Sequence, residues 1–174
     1  MPGPIARSAA WLRGLAGWRR AVAAIAAGGV ATLALPPADL LPVLWLVLPA
    51  FIWLLDGARG WRAAFWIGWC FGFGYLALGL YWLTFALFVD IGRYWWLVPF
   101  ASNGLAAGLA LYWGAAAALA SLVPARHPVV RSIAVAGALA LAEWLRGHLL
   151  TGFPWNLPGY AWTGFPWLAQ AAAL

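Results

Sequence analysis

Polar residues along this chain are sparse and clustered, and the apolar runs between them are long. A helix needs about 20 apolar residues to cross about 30 Å of hydrocarbon. By that measure the pattern predicts five membrane spans, at residues 18–35, 40–55, 61–89, 95–123 and 129–150. The first is closed by Pro36, Pro37 and Asp39. The second is short, and Pro49 is expected to kink it. The third and fourth are long enough to tilt or to project beyond the bilayer. Residues 1–17 form a basic N-terminus, 151–166 an aromatic and proline-rich loop, and 167–174 the first two turns of a further apolar helix. The expected fold is an all-α integral membrane protein, a bundle of about five transmembrane helices plus the start of a sixth. A helix that stops after two turns also suggests that the sequence is a piece of a longer protein.

Composition agrees with the pattern: 66% of residues are hydrophobic, 8% are charged, and 15 are tryptophan. Soluble domains are nearer half apolar and a quarter charged, whereas tryptophan favours the membrane–water boundary. The net charge of +6 comes from arginine alone, since there is no lysine. Arg7, Arg13, Arg19, Arg20, Arg59, Arg62, Arg126 and Arg131 fall on one side of the predicted spans, and Arg93 and Arg146 on the other. That asymmetry predicts a cytoplasmic N-terminus and places the loop after Arg146 outside. It also gives the arginines a topological role, and no basic patch with interleaved polar residues suggests nucleic acid. The single cysteine, Cys70, lies within an apolar run, excludes an internal disulfide and reads as a packing residue. Gly68 with Gly72, and Gly104 with Gly108, have the small-residue spacing that lets helices approach closely in lipid.

Candidate chemistry concentrates between Glu143 and Tyr160. Glu143 is the only glutamate, and Arg146 lies three residues on, so the two share a helix face and can pair. The loop after them is stiffened by Pro154 and Pro158, is given tight turns by Gly152 and Gly159, and carries Phe153, Trp155, Tyr160 and Trp162. It can hold acyl chains or anchor at the interface. Asp90 and Arg93 read as a solvated pair, and His148 as an interfacial histidine. No nucleophile–base pair, metal cluster or phosphate-cradling loop is visible, so no catalytic residue, metal or cofactor is expected in this chain.

Three passages together resemble the N-terminal membrane region of the apolipoprotein N-acyltransferase family. They are LALPPAD over 33–39, GWCFGFGYLALGLYW over 68–82, and EWLRG over 143–147 with TGFPW over 151–155. The resemblance runs from about residue 20 to the end. It implies a multi-pass protein of the bacterial inner membrane with the 151–166 loop facing the periplasm. It also implies an enzyme that takes an acyl chain from a phospholipid and gives it to the amino group of a diacylglyceryl-cysteine, the start of an apolipoprotein. The family works through a cysteine thioester and a Glu–Lys–Cys triad in a nitrilase-like domain. Without lysine this chain cannot hold that triad, and Cys70 is not the nucleophile; alone, the chain is expected to be inactive and monomeric. Only Glu143, Arg146, Phe153, Pro154 and Trp155 carry over, as supports of a lipid pocket. A non-catalytic membrane scaffold and a transporter subunit are the alternatives. A transporter usually places ionisable residues mid-span, and these lie near a span end.

Overall fold

Helical segments follow one another along the chain with short breaks between them. The computed structural model describes residues 3–124, 127–150 and 152–164. Among these residues there is no strand. The helices are α1 (Pro4–Gly14), α2 (Gly17–Ala31), α3 (Leu44–Asp56), α4 (Trp61–Gly79), α5 (Ile91–Tyr94), α6 (Val98–Leu122) and α7 (Pro128–His148). Tighter 3-10 turns occupy Thr32–Ala34, Leu41–Val43, Tyr81–Asp90 and Pro158–Trp162.

Two helices, Val98–Leu122 and Pro128–His148, are each long and apolar enough to cross a membrane, and Leu41–Asp56 is a shorter apolar helix. The long third run is broken rather than straight. Helix α4 ends at Gly79, and the segment from Tyr81 to Tyr94 bends away by 47°. Counted as one broken span, that pair would make a third crossing element. Three glycines, at 72, 74 and 79, weaken the helix here, and hydropathy does not register the change because Tyr81–Asp90 stays apolar. The basic N-terminus, for which no element was expected, forms α1. Pro49 sits inside α3 without ending it. The expected helix start at 167–174 lies outside the described residues.

Helix α4 is the hub. It runs parallel to α2, as Ile25 meets Gly74, Gly29 meets Leu78 and Thr32 meets Gly79. It runs antiparallel to α6, with Gly68 and Gly72 against Trp113 and Ala117. A Cβ on Gly28 would fall on the Phe71 carbonyl, and one on Gly74 on the Ile25 carbonyl. The backbones of α2 and α4 therefore touch, and this closeness supplies packing where apolar surroundings give little hydrophobic drive. The Gly68–Gly72 pair is thus a helix contact. A Cβ at Gly104 or Gly108, by contrast, would have nothing within 4 Å among the described residues.

Buried positions on the flanking helices follow helical spacing: Val47, Phe51, Leu54 and Leu55 on α3, and Val135, Ala138, Ala142 and Arg146 on α7. Aromatic rings knit three helices together. Phe71 of α4 lies 4.4 Å from Phe51 of α3 and 5.4 Å from Trp113 of α6. At the end of the bundle far from the 152–164 loop, Asp56 accepts from Arg131 Nε at 3.2 Å and lies 3.6 Å from Arg13 Nη2. Arg131 Nη1 also donates to the Ala120 carbonyl at 2.9 Å, so one residue ties the ends of α3, α6 and α7.

Candidate functional site

Arg146 continues the buried stripe of α7, a position that apolar residues hold in the three preceding turns. Its side chain is 0% exposed. A guanidinium there is costly unless its donors are met, and the surroundings meet most of them. Nη2 pairs with the Glu143 carboxylate one turn earlier. The other Glu143 oxygen accepts from the indole of Trp113 at 2.7 Å, which links the pair to the aromatic cluster. Nη1 donates to the carbonyls of Phe153 and Trp155, both at 2.9 Å.

The loop is held by its backbone. Phe153 N–H returns a bond to the Arg146 carbonyl at 2.9 Å, and Gly152 N–H donates to Leu149 at 2.9 Å. Leu150, Gly152 and Asn156 take left-handed φ values of 58°, 69° and 53°. At Gly152 a side chain would collide with the Gly147 carbonyl, so the turn from α7 into the loop requires glycine. Tyr160 Oη donates to the Pro154 carbonyl at 2.7 Å. Three consecutive carbonyls, 153, 154 and 155, therefore each accept from a fixed side chain. Proline, which contributes no N–H, lies between two residues whose carbonyls Arg146 holds.

The five residues singled out from sequence thus lie together, with different parts. Glu143 and Arg146 form the buried clamp, Phe153 packs partly buried against the core, and Pro154 and Trp155 are exposed. Trp155 meets Trp82 edge to face, with ring centroids 5.7 Å apart. Arg146 is sealed behind the loop, so its contacts are with protein rather than with an approaching headgroup. Asp90 and Arg93 form no ion pair; Arg93 lies 5.7 Å from the Tyr94 ring instead. His148 stacks on Trp144 at 4.5 Å, and Thr151 lies outside the described residues.

Beside the loop is a cavity of about 520 Å³. Leu33, Pro36 and Pro37 come from the first breaking turn, Trp82 from the bend after α4, and Trp155 and Asn156 from the loop. The three sequence passages, far apart along the chain, therefore meet around one space. Sequence reasoning missed Trp113 and Asn156. Trp113 is the one tryptophan within an Ala- and Gly-rich helix, and Asn156 is the one amide in the proline-flanked 152–164 loop; both are signals that could have been weighed.

A family model described as the apolipoprotein N-acyltransferase N-terminal domain matches residues 27–174. The chain belongs to the apolipoprotein N-acyltransferase family. Proteins named apolipoprotein N-acyltransferase align along nearly all of it. The one from Rhodopseudomonas palustris is 46% identical over 163 residues, covering 91% of this chain and 30% of that protein. Those from Allorhizobium ampelinum and Brucella suis are each 44% identical, covering 97% and 98% of this chain and 33% and 34% of the relatives. The chain therefore spans about a third of the length of these relatives. The matched region includes the Pro36–Pro37 turn, α4, and the Glu143–Arg146 clamp with its loop.

Proposed function

We propose that this chain is the membrane portion of an enzyme that moves an acyl chain from a phospholipid to the amino group of diacylglyceryl-cysteine in bacterial lipoproteins. The chemistry is a double displacement. A cysteine thiolate outside this chain attacks the lipid ester carbonyl, the ester C–O bond breaks, and the lysophospholipid oxygen takes up a proton. The lipoprotein amine then attacks the thioester, forming an amide and releasing the thiol. Splitting the transfer in this way lowers each barrier. Alone, this chain holds none of the reacting groups and is inactive.

Five spans cross the inner membrane, the N-terminus is cytoplasmic, and the 151–166 loop faces the periplasm. The arginine asymmetry supports that orientation. Glu143, Arg146, Phe153, Pro154 and Trp155 shape the lipid side of the active site. One observation carries this reading: a buried guanidinium fixes the carbonyls of the loop that walls the cavity. A clamp of that kind keeps a surface loop in one shape against a fluid bilayer.

The test uses the full-length protein with Arg146→Gln and Glu143→Ala, assayed for acyl transfer to a diacylglyceryl peptide. Arg146→Gln is expected to reduce transfer by about tenfold or more, since a misplaced substrate costs that much. Normal transfer at normal membrane abundance in both variants would remove the proposed role.

A further inference from the structure

Two cavities run together along one side of the bundle. The lower, of about 570 Å³, lies between α2 and α4, and the upper is the 520 Å³ space beside the loop. Thr32, Leu33 and Leu78 line both, which makes them one groove. Its lower walls are apolar, and their one hydroxyl, on Thr32, already donates to the Gly29 carbonyl at 2.6 Å. In the upper part, Tyr160 Oη is engaged with Pro154, and Thr163 Oγ1 with Tyr160 at 2.8 Å. Asn156 Nδ2 differs. It is buried, lines the upper cavity, and has no partner among the described residues. Its place is built: the backbone is left-handed, and Gly79 beneath it has no side chain, where a Cβ would strike the amide nitrogen.

A mostly apolar groove with a single unmet buried donor at one end fits a ligand that is hydrocarbon for most of its length with a carbonyl at its head. We propose that the α2–α4 groove holds one fatty-acyl chain of a glycerophospholipid, whose ester carbonyl accepts from Asn156 Nδ2. From Ile25 to Thr32 the groove follows seven residue steps, about 10 Å at about 1.5 Å each. That is about two thirds of the 15 Å depth of one leaflet's hydrocarbon. Val30, Leu33 and Leu78 are exposed on its rim, so a chain enters sideways from the bilayer. A packed helix meets the donor only if it ends beside Asn156, since only its last-turn carbonyls are unbonded. The assignment rests on the membrane reading above and gives the acyl donor a seat.

Full-length protein in phosphatidylethanolamine nanodiscs, doped with a phosphatidylethanolamine bearing a mid-chain diazirine, tests it by photolabelling and peptide mapping. Label is expected to concentrate on residues 26–33 and 73–78 over the exposed Leu111 and Leu119 of α6. Ala77→Trp, which fills the groove, should lower that label about tenfold, the equivalent of about 1.4 kcal/mol. Ala26→Phe at the exposed rim provides a second filling variant should Ala77→Trp misfold. Asn156→Leu should reduce label from the ester probe but not from its ether-linked analogue. Label spread evenly over α2, α4 and α6, or groove residues that crosslink to another helix of the protein or to a second copy, would overturn the assignment. Acyl transfer is read separately: transfer absent with groove labelling intact counts against the proposed function and leaves the acyl seat standing.

Discussion

Arg146 acts through carbonyls as much as through charge. Removing it leaves Glu143 as a nearly buried ion, and removing Glu143 leaves an uncompensated guanidinium. Breaking one side of such a pair costs about 3–5 kcal/mol. Arg146→Leu and Glu143→Leu should therefore each lower the unfolding midpoint in detergent strongly, and the double variant should recover part of the loss. Recovery stays incomplete because the Phe153 and Trp155 carbonyls lose their donor. If the double variant instead shows the sum of the single losses, measured by thermal unfolding, the two side chains do not stabilise one another. Trp113→Phe keeps the ring packing and removes one bond to Glu143, a cost of about 1–3 kcal/mol for the acceptor left short. The pairing was legible in the three-residue spacing; the burial of Arg146, which the arginine count had set on the outer side, follows the Val135, Ala138, Ala142 register. Its carbonyl partners were not, because a backbone acceptor has the same signature at every residue.

Among the elements, α4 decides the geometry. It touches α2 backbone to backbone and α6 through Trp113, and its end at Gly79 sits beneath Asn156. A side chain on its α2 seam must push helices apart, whereas one at Gly104 enters open space. Gly28→Leu is expected to destabilise by about 1–3 kcal/mol or more, and Gly104→Leu by much less. Equal losses of detergent thermostability in the two would refute the seam. The fourth and fifth runs showed their helices to within a few residues, since charges and prolines bound them. The third did not show its bend. Apolar side chains continue through Val89 while the backbone tightens to a 3-10 turn, a change that hydropathy cannot register.

For the whole molecule, the proposed orientation puts the two ends of the bundle in different compartments. Cys70 is buried, and in a Cys70→Ala background introduced thiols report sidedness cleanly. Gly92→Cys should react with a membrane-impermeant maleimide in intact spheroplasts, and Arg59→Cys only after permeabilisation. The reverse pattern would invert the proposed topology. The way the three separated passages converge on one cavity was visible in sequence only as order and spacing. What brings them together is the parallel seating of α2 on α4 and the return of the loop after α7.

The two ends of this bundle are fastened by different chemistry. At one, the clamp is buried and its partners are chiefly carbonyls. At the other, α1 meets α3 through Arg13 and Asp56, with side chains 50% and 29% exposed. At 1 M salt the screening length falls to about 3 Å, which reaches the exposed pair and not the buried one. Ionic strength should therefore act on this protein from one end only. Trypsin in detergent should cut after Arg13 faster as salt rises, while Arg146, enclosed by its own loop, stays uncut. Equal protection of Arg13 at low and high salt would show that α1 is held by its apolar contacts instead.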